Sequence, residues 1–336
     1  MKSEDSSNFI KALETGNREL MRKVPRADVH NHAALSGDFD RWAAKEGLDL
    51  KDKLASEWGI QPQGKDRRFS DFTDFQKLVD TIFTYPWSPP SNEQQQQRFL
   101  SLFAAAYELA ISDGVTCIEP GYDAVLLDYY EMDLEKMISD FKKQTDFYSE
   151  KLTIMPDIGI IRVFDKKDLE RTIYPCIVSG FFMALDIFAD ERMGPPEDFT
   201  DIYRAAKKAG MKLKAHAGEL LGADFVRRSV EVLELDEVQH GIAAAKSPEV
   251  MRFLADNDIR LNVCPSSNIQ LCQADSYETH PLRILMDNGV RVTVNTDDVI
   301  IFGQKSSDEF FNLYETGLYS PEELDEVRLN GFPAEG

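Results

Sequence analysis

Short apolar runs recur along the chain, most of them closing on a polar or charged residue. The stretches between them place apolar positions three and four residues apart. The first pattern predicts buried strands and the second amphipathic helices. Strands are expected near 27–32, 115–119, 152–161, 181–187, 213–217, 237–240, 260–264 and 291–295, with helices between most of them, for example over 133–148, 198–209 and 247–257. The glycines in KKAGMKLKA and MDNGVRVTV stand where a helix must end before the next strand begins. Eight strands alternating with helices predict an α/β fold, a (β/α)8 TIM-type barrel in preference to an open sheet.

One stretch breaks the rhythm. Residues 48–90 carry KDRRFSDFTDF and YPWSPPSNEQQQQ, rich in aromatic, proline and polar residues. Lying between the first two strands, this helical insertion is expected over the catalytic face, as a lid or substrate-shaping element. No linker divides the chain, so residues 1–336 are read as a single domain.

Composition narrows the partners. With 59 acidic against 38 basic residues the formal net charge is −21, which argues against nucleic-acid binding over the surface while leaving room for a local phosphate pocket. No run approaches the roughly eighteen uncharged apolar residues of a membrane span. The N-terminal MKSEDSSNFIKALE lacks the apolar core of a secretory signal. Cys117, Cys176, Cys264 and Cys272 are widely spread with no C-x-x-C pair, and read as reduced thiols of a cytoplasmic protein. No sequence feature speaks for an oligomer.

Four of the five histidines fall at strand ends: His30 and His32 in RADVHNH, His216 in KLKAHAGE and His240 in DEVQHG. A further run, RVTVNTDD, ends in Asp297 and Asp298. His30 and His32 are two apart on one strand and share a face. Active sites of such barrels form at the C-terminal strand ends, so His30, His32, His216 and Asp297 are expected to converge on one zinc ion. Three imidazoles and one carboxylate leave zinc an open position for a water whose pKa falls toward about 7. Glu219, just past the fifth strand, is the candidate proton donor and acceptor. His240 is placed to orient the nucleophile, and Asp298 to bind substrate. His280, in ETHPLRIL, reads as structural, and Asp186 and Glu119 as packing or supporting acids.

HNHAALSG, HAGE, QHG and VNTDD, in this order and spacing, resemble the adenosine and AMP deaminase family of metal-dependent barrel hydrolases. The resemblance runs from about residue 26 to residue 302. It implies one zinc held by His30, His32, His216 and Asp297, with Glu219 protonating the purine ring nitrogen beside the reacting carbon. It also implies that Asp298 hydrogen-bonds the imidazole-ring nitrogen of the base, and that His240 positions the attacking hydroxide. MALDIFADE resembles the strand that offers a backbone N–H to the purine, near Ala189. The short H-x-E and P-C-x-x-C of cytidine-type deaminases are missing, and the fourth strand offers no lysine to bridge two metals.

Departures from the family pattern bear on the substrate. Adenosine deaminases carry an aspartate two residues after the second metal histidine, where this chain has Ala34. Such a carboxylate would repel a phosphate by about 4 kcal/mol at about 4 Å and an effective dielectric of about 20. HNHAA and HGIAAAKSP resemble AMP deaminases more closely. The expectation is therefore a purine 5'-monophosphate, AMP or dAMP, with the free nucleoside as alternative. Arg41, Lys65, Arg67 and Arg68 are candidate phosphate contacts. Two other classes remain open: a non-catalytic relative that binds a purine or a protein, and a metal hydrolase of another amidine or amide.

Overall fold

The computed structural model describes residues 3–47, 68–84 and 91–333. Eight parallel strands form a nearly closed barrel in the order β1 (Arg26–His32), β2 (Val115–Asp123), β4 (Asp157–Ile161), β5 (Ala184–Phe188), β6 (Lys212–Ala217), β7 (Glu237–His240), β8 (Arg260–Val263) and β9 (Val292–Val294), while the short β3 (Thr153–Ile154) pairs only with β2. The ends meet where the Asp297 N–H donates to the His30 carbonyl at 3.0 Å and the Val29 N–H donates to Asn295 Oδ1 at 2.9 Å. This is the (β/α)8 barrel that the strand and helix rhythm predicts.

Strand alternation explains which residues fill the interior. In β6, Lys212, Lys214 and His216 share one face, while Leu213, Ala215 and Ala217 share the other and join the apolar core beneath the helices. The inward residues form an ionic and hydrogen-bonded core. Fully buried Lys214 contacts Glu119 and lies 2.5 Å from Asp157, and Arg260 pairs with Glu237 at 2.7 Å. Asn262 donates to both Glu237 and Gln239. Each of these buried charges has an opposite partner, the condition under which such groups are tolerated.

Several boundaries shift by one to three residues, as where β5 begins at Ala184 and not at 181, and two depart further from expectation. The stretch 152–161 divides into β3 and β4 around Met155 and Pro156, because proline has no N–H to lend to a ladder. β2 instead runs four residues past the expected end, through Pro120 and Gly121, to Asp123. A side chain at Gly121 would stand 3.1 Å from the Asn31 carbonyl, so the glycine permits the close approach of β1 and β2 at the barrel mouth.

Helices Phe39–Lys45, Phe72–Thr84 and Asn92–Asp113 lie between β1 and β2. Within 48–90, residues 48–67 and 85–90 lie outside the described residues. Among the described residues, no helix is long and apolar enough to cross a membrane.

Candidate active site

A cavity of about 710 Å³ opens at the C-terminal ends of the strands. His32, His216, Glu219, His240, Asp297 and Asp298 line it, as does Ala189. Helix Phe72–Thr84 contributes Phe72, Phe75, Gln76, Val79 and Asp80 to its wall.

The histidines present defined faces to this space. His30 Nδ1 lies 2.8 Å from the Asn262 carbonyl oxygen, which can only accept, so Nδ1 carries the proton and Nε2 a lone pair. His216 Nδ1 is 3.1 Å from an Asp186 carboxylate oxygen, which fixes the same tautomer. The two Nε2 atoms then face each other at 3.1 Å. Two lone pairs at that separation repel unless a cation lies between them, and ligands about 2.0–2.1 Å from a common zinc would be spaced in this way.

His32 Nε2 is 3.5 Å from Asp297 Oδ1. Ligand atoms of His30, His32 and His216 lie within 4.8 Å of one another, as do those of His32, Asp297 and Asp298, so the set could hold one ion. A third grouping contains His30, His240, Cys264 and Asp297. Its thiol touches Nδ1 of His30 at 3.2 Å, the ring nitrogen turned toward Asn262, and burial keeps that thiol protonated. Cys264 therefore stands outside the ligand face.

Backbone conformation aims several of these side chains. Ala189, His240 and Asp297 have φ of 72°, 62° and 57°, left-handed values that cost a non-glycine residue about 1–2 kcal/mol. In β7, Glu237 and Gln239 point inward, so strict alternation would turn His240 away. The positive φ at the strand end brings its Nε2 to 3.5 Å from Glu219 Oε1. Beyond β9, Thr296 is pinned by Asp28, to which its hydroxyl donates at 2.6 Å, and the chain turns at Asp297. The turn lets the adjacent Asp297 and Asp298 both line the cavity.

Electrostatics follow from burial. Glu219 is held well above the usual carboxylate range by desolvation, reinforced by Asp297, Glu191 and Asp298. Asp298 is also raised, by burial and then by Asp297, and its Oδ1 is buried with no hydrogen-bond partner. Two supporting residues escaped the sequence reading. Glu191 accepts the backbone N–H groups of Glu219, Leu220 and Leu221 at 2.9, 3.2 and 2.8 Å. Arg162 donates to the carbonyls of His216 and Gly194 at 2.5 and 3.2 Å. An acid two residues after Ala189 was the visible signal for Glu191; Arg162 had none.

A model of the family described as "Adenosine deaminase" matches residues 42–334. The chain belongs to the adenosine deaminase family. It is therefore a hydrolase acting on the cyclic amidine of adenine- or adenosine-type purines. A provisionally named adenosine/adenine deaminase of Treponema pallidum is 33% identical over 301 residues, 89% of this chain and 94% of the relative. An adenine deaminase of Acinetobacter baylyi is 26% identical over 94% of this chain and 93% of its own length. Among solved structures, an adenine deaminase from Arthrobacter aurescens superposes with a TM-score of 0.76 at 22% identity, covering 91% of this chain and 92% of the other. An amidohydrolase from Burkholderia ambifaria with bound zinc gives 0.73 at 18%, covering 98% and 88%. Arabidopsis ADAL complexed with GMP gives 0.72 at 15%, covering 93% and 92%.

Of the expected phosphate contacts, the two described ones, Arg41 and Arg68, do not line this cavity. Arg41 lies in a separate small cleft with Lys45, where both approach Glu108, at 3.8 and 3.5 Å. Arg68 donates to the Asp275 carbonyl at 3.2 Å and is not among the lining residues. Lys65 and Arg67 lie outside the described residues.

Proposed function

We propose that this family member deaminates an uncharged 6-aminopurine nucleoside of the adenosine type, giving the inosine-type product and ammonia. One zinc ion would be held by His30, His32, His216 and Asp297. The observation that carries the metal is the pair of Nε2 lone pairs facing each other at 3.1 Å. When bound, the ion acidifies a water molecule so that it can attack at neutral pH.

The chain's own residues supply the rest. Glu219, protonated through burial, donates to the ring nitrogen beside the reacting carbon and thereby makes that carbon electrophilic. His240 faces Glu219 and holds the attacking oxygen. Asp298 lines the cavity and has one buried oxygen without a hydrogen-bond partner, so its carboxyl is free to bind the imidazole-ring nitrogen of the purine. The Ala189 N–H completes the grip on the base. Once the carbon is tetrahedral, the ionised Glu219 takes the proton of the added hydroxyl and passes it to the amino group; the C–N bond breaks, the C=O forms and ammonia departs.

Charge favours the nucleoside over the nucleotide expected from the sequence. Apart from the three histidines, the described lining residues include one base, Arg162, whose Nη groups serve backbone carbonyls. They also include six carboxylic acids, of which Glu219 and Asp298 are held protonated by burial, Asp297 would be a metal ligand and Asp190 pairs with Arg192. A phosphate would find no uncommitted cation among them to pair with. The second reading is AMP, favoured by the same fold holding GMP in Arabidopsis ADAL. A panel of adenosine, deoxyadenosine, adenine, AMP and dAMP, followed by ammonia release, separates the two. Higher kcat/KM on the nucleosides is expected. Higher kcat/KM on the monophosphates would reverse the choice, and no turnover of any 6-aminopurine by zinc-loaded protein would end the reading.

A further inference from the structure

His280 lies just before helix Leu282–Asp287, 40 residues after His240 in the chain, and a single buried amide joins the two rings. His280, Asn268 and His240 are 2%, 0% and 1% exposed, so water does not compete for their hydrogen bonds. The backbone N–H of Leu282 donates to His280 Nδ1 at 3.1 Å. A nitrogen that accepts carries no proton, so the proton of this imidazole is on Nε2. That N–H lies 3.3 Å from Asn268 Oδ1.

The amide is thereby oriented. Turned the other way, Asn268 would set its NH2 against the N–H of His280, donor against donor. With Oδ1 toward His280, Nδ2 donates to His240 Nδ1 at 3.1 Å. That nitrogen now accepts, and the ring proton of His240 must sit on Nε2, which faces Glu219 Oε1 at 3.5 Å and Asp297 Oδ2 at 3.9 Å.

We propose that His280 and Asn268 are positioning residues which fix His240 with its proton on Nε2, making it a hydrogen-bond donor in the active site and not a base. The consequence rests on the deaminase reading above; the tautomer itself does not. A ring that presents N–H to the site cannot take a proton from the attacking water. It donates to that oxygen and holds it, and proton traffic falls to Glu219. The backbone N–H of Leu282 is thus the origin of a polarity that reaches the reacting atoms through two side chains.

The test is a long-range proton–nitrogen correlation spectrum of the zinc-loaded protein labelled with 15N-histidine, together with kinetics and metal content for two variants. His240 should show a protonated Nε2 and a lone-pair Nδ1. Asn268→Asp offers only acceptor oxygens to His240 Nδ1, so it should move the proton to that nitrogen. It should also lower kcat by at least about 100-fold, as a wrongly held catalytic histidine does, with KM and bound zinc little changed. His280→Gln, whose amide can give the same hydrogen bond to Oδ1, should keep the Nε2 proton and most of the rate. A wild-type spectrum with the proton on Nδ1 overturns the proposal, as does an Asn268→Asp protein that keeps both the Nε2 proton and its kcat. Should Asn268→Asp fail to fold, the wild-type spectrum decides alone. Should no 6-aminopurine be turned over, the deaminase reading falls while the spectrum still decides the tautomer.

Discussion

The carboxylate of Glu191 accepts the backbone N–H of Glu219 at 2.9 Å, and its second oxygen accepts those of Leu220 and Leu221. One buried side chain thus holds the loop that carries the proposed proton-transfer group and also adds negative charge beside it. Replacing Glu191 by Gln should lower kcat by about 10- to 100-fold with a small change in KM, because the loop relaxes while the purine contacts persist. Steady-state kinetics check this, and an unchanged kcat would show that the loop holds its own shape.

Glu219→Gln removes the transferable proton and leaves the metal ligands intact. Activity should drop by about 10²- to 10⁴-fold while zinc content stays at that of the parent protein. Retained turnover would remove Glu219 from the role given to it.

Chelation should abolish activity and lower the melting temperature, since three imidazoles and a carboxylate are gathered around one point and repel when nothing binds them. Added zinc should restore both. Activity that survives exhaustive chelation, with metal content verified as nil, would contradict a metal-dependent site.

Asp123 stands two residues beyond Gly121 on β2, on the same face and about 6–7 Å farther along the strand than the point that faces His32. Its Oδ1 accepts from the Val125 N–H at 2.9 Å, and burial pushes its pKa up to about 7. A sugar hydroxyl is a suitable donor to it. Asp123→Ala should cut kcat/KM on adenosine by about 10-fold and leave adenine unaffected. A group with this raised pKa is neutral below pH 7 and charged above. Discrimination against AMP should therefore widen by a factor of about 3–4 on going from about pH 6 to about pH 8, from a repulsion of about 1 kcal/mol, and Asp123→Asn should remove that part of the widening. Equal profiles for parent and variant would place Asp123 away from the substrate.

Ala189 holds φ at 72°, a strained value that glycine adopts freely. Ala189→Gly should leave folding intact and raise stability by up to about 1 kcal/mol, the relief of strain being partly offset by the greater freedom of glycine in the unfolded chain. Denaturant titration measures it. A loss of more than about 1 kcal/mol would show that the methyl group packs productively.

Much of this was legible in the chain because strand alternation and strand ends are local properties. Residues 212, 214 and 216 had to share a face once KLKAHA was a strand, and the same holds for His30 and His32. HAGE and VNTDD marked strand ends from which side chains could reach a common centre. What was not legible involves direction or distance. His240 escapes the parity of its strand through a positive φ that no neighbouring residue signals. Arg41 reads as a phosphate ligand from its closeness in sequence to HNHAALSG, yet the helix that carries it turns it toward Glu108. Asp123 lay past a Pro–Gly pair that resembles a strand end, and continues the strand because Gly121 lets β1 come close.

The order of polar and apolar residues was thus sufficient by itself for eight strands, their helices and the identity of the side chains at their ends, since each depends on neighbours a few positions away. Closure of the barrel decided the rest. Only when the Asp297 N–H meets the His30 carbonyl do groups more than 260 residues apart share one small volume. In that volume, burial and hydrogen-bond direction assign protons in a way that depends on what stands opposite, and not on what comes next in the chain.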